Sequence, residues 1–247
     1  MTDDARLTLV EHLGELRKRL IISSIVIILG SLLCYNYIDI IIQLIVRPAE
    51  GLEFIYLSPP ELFIAYVKVS LVLGLFVASP VVLFQIWMFI KPGLKVKERK
   101  YVLFAMFMGI IFLLIGISFA YFIIIPMTIK FFIKMSVDQI APLFSFANYI
   151  SFISSLLLSF GLVFELPLII ILLTQLGLVA PNTFKKYRKM VILGIFIVAA
   201  ILTPPDVVSQ TMMAIPMLFL YEFSIIVSTI IYRKKKEEKQ SKINDES

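Results

Sequence analysis

Six apolar runs, at about 20–35, 63–90, 101–125, 149–176, 190–202 and 207–232, occupy most of the 247-residue chain. About twenty apolar residues cross the roughly 30 Å hydrocarbon core of a bilayer as a helix, where no water satisfies backbone N–H and C=O groups. Runs this uniform leave no polar face on the helices they form, which excludes a water-soluble bundle. Composition agrees, at 60% hydrophobic and 16% charged with a mean hydropathy of +0.98, far from soluble averages. The sequence predicts an all-α polytopic membrane protein, a single six-span integral domain over 1–232. A basic tail over 233–247 is expected to be disordered. The fifth run holds only thirteen apolar residues, about 20 Å of helix, and is expected to thin the bilayer locally or to tilt little.

Charge predicts the orientation. Nineteen of the 23 Lys and Arg residues fall in alternate connections. Arg6, Arg17, Lys18 and Arg19 precede the first run, and Lys91, Lys95, Lys97, Arg99 and Lys100 join the second to the third. Lys185, Lys186, Arg188 and Lys189 join the fourth to the fifth, and six more follow Tyr232. The excess of Lys and Arg on cytoplasmic loops places both termini and these two loops in the cytoplasm of a multi-pass cell-membrane protein. The basic loops need no nucleic-acid partner, because topology and attraction to anionic lipid account for them.

Between the runs, Leu9, Leu13, Leu16 and Leu20 form one stripe and Glu11, Glu15 and Lys18 the opposite face of a helix over 8–20, expected to lie at the membrane surface. Ile38, Ile41, Ile42 and Ile45 predict a second interfacial helix, ended at Arg47 and Pro48. Pro80 is expected to kink the second span, and the third is expected to end near Pro126, before a polar interval holding Lys130, Lys134 and Asp138. No cleavable leader is expected, since charged residues precede an apolar stretch without a small-residue cleavage pattern.

Three acids stand out. Glu165 lies near the middle of the fourth run, with Pro167 two residues on. A charge at mid-bilayer costs on the order of 2.5–3.5 kcal/mol on insertion scales, so Glu165 is either a protonated carboxyl bonded to a neighbouring helix or a docking or transport site. Glu15 and Glu98 stand among cations on the basic side. Lys18 and Arg19 lie three and four residues after Glu15, within reach of ordinary helix ion pairs, and Lys95 and Arg99 flank Glu98. Catalysis is not expected: the sole histidine, His12, has no Ser or Cys partner on a recognisable turn, and no metal-ligand cluster or glycine-rich phosphate loop is present. No cofactor is expected. Cys34 is the sole cysteine, so no intrachain disulfide forms. Two other readings of the residues stay open: a proton-coupled secondary transporter using Glu165, and a purely structural scaffold.

Four blocks carry a family resemblance. They are His12-Leu13-Gly14-Glu15-Leu16-Arg17-Lys18-Arg19-Leu20; Gln85-Ile86-Trp87-Met88-Phe89-Ile90-Lys91-Pro92-Gly93-Leu94, running on to Glu98-Arg99; Phe160-Gly161-Leu162-Val163-Phe164-Glu165-Leu166-Pro167; and Leu202-Thr203-Pro204-Pro205-Asp206-Val207-Val208-Ser209-Gln210-Thr211. In this order they resemble the TatC family, the C subunits of the twin-arginine protein translocase. The resemblance implies a glove-shaped six-helix bundle with a concave face and short fifth and sixth spans. It implies a receptor for twin-arginine signal peptides at the cytoplasmic face, and a platform for single-span partner subunits of the TatA and TatB type that export folded proteins on the proton gradient. Self-association and contact with membrane lipid are expected with it. Carried over by position, Glu15 and Glu98 meet the arginines, with Leu16, Arg17, Phe89 and Pro92 in the same peptide-binding group. Glu165 is the intramembrane acid of the concave face, and Pro48 and Asp206 belong to functionally sensitive outer loops. Thr203, Gln210 and Thr211 supply polar contacts to partner subunits.

The charge pattern makes a direct prediction. In a Cys34→Ala background, single cysteines replacing Lys97, Lys186 or Lys236 are labelled by a membrane-impermeant thiol reagent only from the cytoplasm, and those replacing Ser58 or Asn148 only from outside. Labelling at 186 from outside overturns spans four to six as drawn.

Overall fold

The structure, a computed structural model, describes residues 9–56, 58–135, 144–202 and 207–245. Among the described residues there are ten α-helices: α1 (Leu9–Asn36), α2 (Ile38–Val46), α3 (Pro59–Ile90), α4 (Val96–Phe119), α5 (Ile125–Met135), α6 (Phe146–Val163), α7 (Leu166–Gln175), α8 (Pro181–Lys186), α9 (Arg188–Leu202) and α10 (Val207–Asp245). Among the described residues, five stretches are long and apolar enough to cross a membrane: Val10–Asn36, Pro59–Gly93, Glu98–Lys134, Phe146–Gln175 and Gln210–Arg233. The last is the shortest of the five. The remaining span is α9, whose 15 residues measure about 22 Å at 1.5 Å per residue.

Helix α6 lies at the centre, packed against α3, α4 and α9, while α1 runs along α3 and α10 runs along α7 and α9. Ile150, Ile153, Leu156 and Phe160 of α6 are fully enclosed. Outward-facing Ile21, Ile25, Ile28 and Leu32 of α1 are at least half exposed. An apolar patch of that size is a liability in water and the required surface in lipid.

The α1–α3 pair is fixed by small residues. A Cβ on Gly74 would come within 2.5 Å of the Ser31 backbone nitrogen, and one on Gly30 within 2.9 Å of the Gly74 carbonyl oxygen. The Ser31 hydroxyl donates to Ile27 O of its own helix at 2.7 Å, so it stays satisfied while the backbones close up. Lipid tails are as apolar as leucine, so spans associate through close packing of this kind.

The structure corrects the sequence reading at four places. The stretch expected to lie on the surface is the first part of α1, which runs unbroken from Leu9 into the first span. No proline interrupts it, and Arg19 is tied to α3 (below). The third span does not end at Pro126. A π-helical turn at Ala120–Ile124 precedes α5, which carries the helix through Pro126 to Met135. The wider turn accommodates the proline ring and its missing N–H, which an α-helical register would not. Lys130 and Lys134 are therefore helical; Asp138 lies outside the described residues. Third, the fourth span is two helices, parted at Phe164 and Glu165. Finally, the tail after Tyr232 continues α10 as helix to Asp245. Its composition, rich in Lys and Glu, favours helix.

At the end of the bundle opposite the basic loops, α2 and a short 3-10 turn, Arg47–Ala49, form a cap. A two-residue parallel pair, β1 (Phe54–Ile55) with β2 (Phe144–Ser145), clips the two connections at this end together. Ser145 Oγ donates to Glu61 Oε1 at 2.8 Å across the same seam.

The α1–α3 crossing generates a stability prediction. Gly74→Leu forces the two backbones apart and lowers stability by about 1–3 kcal/mol, as overpacking does elsewhere. Gly194→Leu, where an added Cβ meets nothing within 4 Å, leaves the melting temperature in detergent near that of the parent. Equal melting temperatures for the two variants would remove the crossing as a determinant of the fold.

Candidate functional site

Two separate regions collect the acids singled out from the sequence. The first is the basic end, where the start of α1 meets the end of α3. The His12 imidazole stacks on Phe89 with ring centroids 4.3 Å apart and an interplanar angle of 17°. Two turns further along α1, Arg19 Nη1 donates to Gln85 Oε1 at 3.0 Å, and Nη2 donates to Glu15 Oε1 at 3.1 Å. Arg19, and not Lys18, therefore neutralises Glu15. Glu15 and Leu16 are half-buried, and Arg17 is exposed.

Lys91 lies over the Trp87 ring, 5.0 Å from its centroid, a cation–π arrangement. Pro92 is the middle residue of the 3-10 turn Lys91–Gly93 that ends α3. Its fixed φ suits that turn, and its missing N–H prevents continuation of the helix. Three residues after the turn, α4 begins, and Glu98 sits in its first turn, where it accepts the Lys95 N–H at 3.0 Å. A carboxylate there caps the helix and faces the positive end of its dipole. Glu15 and Glu98 thus sit at one end of the bundle on different helices, each held by one contact among the described residues, with Phe89 and Pro92 between them along the chain.

The second region surrounds Glu165. Pro167 has no N–H to offer the Val163 carbonyl, so the helical ladder lapses there; the Glu165 N–H bonds instead to Leu162 O at 3.1 Å, a tighter turn. The half-buried carboxylate packs against the backbone of α4 at Gly109, where an added Cβ would stand 3.1 Å from Oε2. Among the described residues no donor reaches this carboxylate. Leu168, which also borders Gly109, lines an apolar groove of about 370 Å³ between α4, α7 and α10, with Tyr101, Phe104, Met108 and Gln175. Glu222, near the middle of the Gln210–Arg233 stretch, does not join Glu165. It accepts from Arg188 Nη2 at 2.6 Å, beside the Tyr221 hydroxyl, which donates to Phe184 O at 2.7 Å.

The remaining candidates are distributed elsewhere. Pro48 lies in the cap opposite the basic end and leaves Leu44 O without its helical donor; the Tyr121 hydroxyl supplies one at 2.7 Å, and Tyr149 does the same for Ile45 O at 2.8 Å. Gln210 donates its amide to Phe196 O at 2.9 Å and so ties α10 to α9. Thr211 donates back to Val207 O of its own helix. Thr203 and Asp206 lie outside the described residues. No group of three or more His, Cys, Asp or Glu among the described residues is arranged to hold a metal ion.

Sequence reasoning missed Gln85 and the use of His12. Gln85 is 8% exposed, and a buried amide in an apolar span was the available signal, because such a group requires a partner. The stacking of His12 on Phe89 had no local signal, since the two residues stand far apart in the chain.

A broken, acid-bearing helix beside an apolar groove, with a separate acid-bearing polar end, defines a multi-pass helical membrane protein. The chain belongs to the TatC family, Sec-independent protein translocase proteins, which matches residues 11–216. It is 42% identical over 235 residues to the Sec-independent protein translocase protein TatC of Desulforapulum autotrophicum, covering 93% of this chain and 87% of that one. To the TatC of Carboxydothermus hydrogenoformans it is 40% identical over 236 residues, covering 94% and 97%. A crystal structure of a twin arginine translocase receptor, TatC, in DDM superposes with a TM-score of 0.82 at 37% identity, covering 88% of this chain and 99% of that one. The six-span, glove-shaped fold and a place in Sec-independent protein translocation follow, and the proton-coupled transporter alternative is not favoured.

Proposed function

We propose that this protein is the receptor subunit of a twin-arginine translocase, binding signal peptides with adjacent arginines at its basic end and organising single-span partner subunits around the Glu165 groove. The observation that carries the reading is the placement of Glu15 and Glu98. They are acids set among cations at one end of the bundle, on two different helices, so that two neighbouring guanidinium groups have two carboxylates to meet. Arginine forks to a carboxylate through two parallel hydrogen bonds, and lysine does not. Phe89, Leu16 and Pro92 supply apolar surface beside the acids, and Arg17 is the exposed cation next to them. On this reading the basic end is cytoplasmic, as the positive-inside rule requires, and the tail helix of α10 extends there. The cap that holds Pro48 then faces the far side, the side to which the family resemblance assigns Asp206.

Glu165 has a different task in this proposal. A peptide whose arginines stay at the cytoplasmic surface remains roughly 15 Å, half a bilayer, from the membrane centre. The carboxylate, free of donors among the described residues, and the carbonyl released by Pro167 are suited to a polar side chain of a partner span lying in the groove. Gln210 and Thr211 in the first turns of α10 offer a second contact for such partners, and the family resemblance assigns Thr203 to it. The Glu222–Arg188 pair leaves Glu165 without a second acid for a proton relay.

Two experiments test the assignment. Glu15→Gln and Glu98→Gln each weaken binding of a twin-arginine peptide at least tenfold, consistent with about 1.5–3 kcal/mol for a hydrogen bond to a charged group, with unchanged melting temperature. A twin-lysine peptide binds the parent poorly. Parent-like affinity in both variants would falsify the role of these acids. Glu165→Ala keeps peptide affinity near that of the parent but reduces export of a folded cargo in vesicles, with Glu165→Gln milder if the carboxyl works protonated. Unimpaired export by Glu165→Ala would return this residue to a purely structural part.

A further inference from the structure

We infer that Arg19 is an internal stand-in for the ligand's guanidinium, occupying Glu15 in the unliganded protein and released from it when a twin-arginine peptide binds. The inference rests on the peptide-binding role proposed for Glu15. Arg19 reaches Glu15 with a single N–H on a single oxygen, Nη2 to Oε1 at 3.1 Å, while Nη1 is held by Gln85 Oε1 at 3.0 Å. Its third donor, Nε, is buried without a partner among the described residues. Among the described residues, Glu15 Oε2 accepts nothing. The resident contact is therefore half of what the two groups are able to make, because the Gln85 bond and the α1 backbone hold the guanidinium off the fork geometry.

A peptide arginine arriving from solvent is not so tethered. It forks both carboxylate oxygens, which a single-contact occupant cannot match, and a lysine brings no fork with which to do so. Displacement does not strand Arg19, because Gln85, itself 8% exposed, keeps one end of the guanidinium bonded. The occupant lowers the apparent affinity of every cationic peptide by one common factor, the fraction of protein with Glu15 open. A partly exposed ion pair four residues apart contributes about 0.2–1 kcal/mol, which corresponds to a factor of roughly 1.4–5. Its function is to keep the carboxylate neutralised and shielded from the Lys and Arg side chains around it until a forked ligand arrives.

The test uses the full chain in lipid nanodiscs and two fluorescent peptides, one with adjacent arginines and one with adjacent lysines in their place. Arg19→Met raises affinity for both by about two- to fivefold, leaving their ratio unchanged. Lys18→Met removes the same charge from the neighbouring exposed position and changes affinity less. Arg19→Gln, a gentler replacement, reports the same direction should Arg19→Met fail to fold. Weaker arginine binding with a narrowed ratio overturns the inference and makes Arg19 a positioning residue for Glu15. An equal gain in Lys18→Met also overturns it, in favour of a general field effect. Equal affinity of both peptides for the unaltered protein sinks the receptor reading itself, and this inference with it, a result distinct from the other two.

Discussion

Every backbone polar group inside a bilayer must be satisfied by protein, and the rest of this structure depends on how the chain meets that constraint. Continuous helices meet it without help, so irregular backbone is confined to a few places, each with a local cause. Pro126 follows a π-helical turn, Ala120–Ile124. Pro167 follows the lapse at Phe164 and Glu165. Pro48 leaves Leu44 O to the Tyr121 hydroxyl. In the last case a tyrosine from another helix completes the hydrogen bonding, and the interfacial helix α2 is fastened to the bundle as a result.

Helix association follows from the same solvent. With no hydrophobic difference between lipid and side chain, the spans are held by close approach and by scattered polar pairs. Gly30, Ser31 and Gly74 bring α1 against α3, and Thr174 Oγ1 meets Ser228 Oγ at 2.6 Å between α7 and α10. The α1–α3 crossing has a consequence beyond stability. It carries the first turns of α1 alongside the last turns of α3, which sets His12 on Phe89 and Arg19 between Glu15 and Gln85. A membrane-embedded packing contact thereby fixes the geometry of the polar end.

Much of this was legible in the chain. Apolar run length and the alternation of basic loops specify a six-span helical protein, and the interfacial helix α2 follows from isoleucines at helical spacing ended by Pro48. Proline was the unreliable sign. At Pro167 it marks a real break in the ladder, whereas at Pro126 the helix passes through, because whether a turn widens to admit the ring depends on neighbouring helices. The surface helix expected over 8–20 was a misreading of a long helix whose first part is amphipathic. Periodicity reports which faces are polar, not whether the axis bends. The tail was read as disordered from its charge, yet a composition rich in Lys and Glu also continues a helix already begun.

The sequence by itself determined the class of solvent, the number of spans, and the acids that stand against their surroundings, because each of these is a property of local composition. Tertiary structure decided which partners those acids have. Arg19 rather than Lys18 takes Glu15 because Gln85, sixty-six positions away, holds the other end of its guanidinium. Glu222 is paired with Arg188, while Glu165 faces the backbone of Gly109. Such pairings arise between helices distant in the chain, and one-dimensional spacing carries no information about which helices meet.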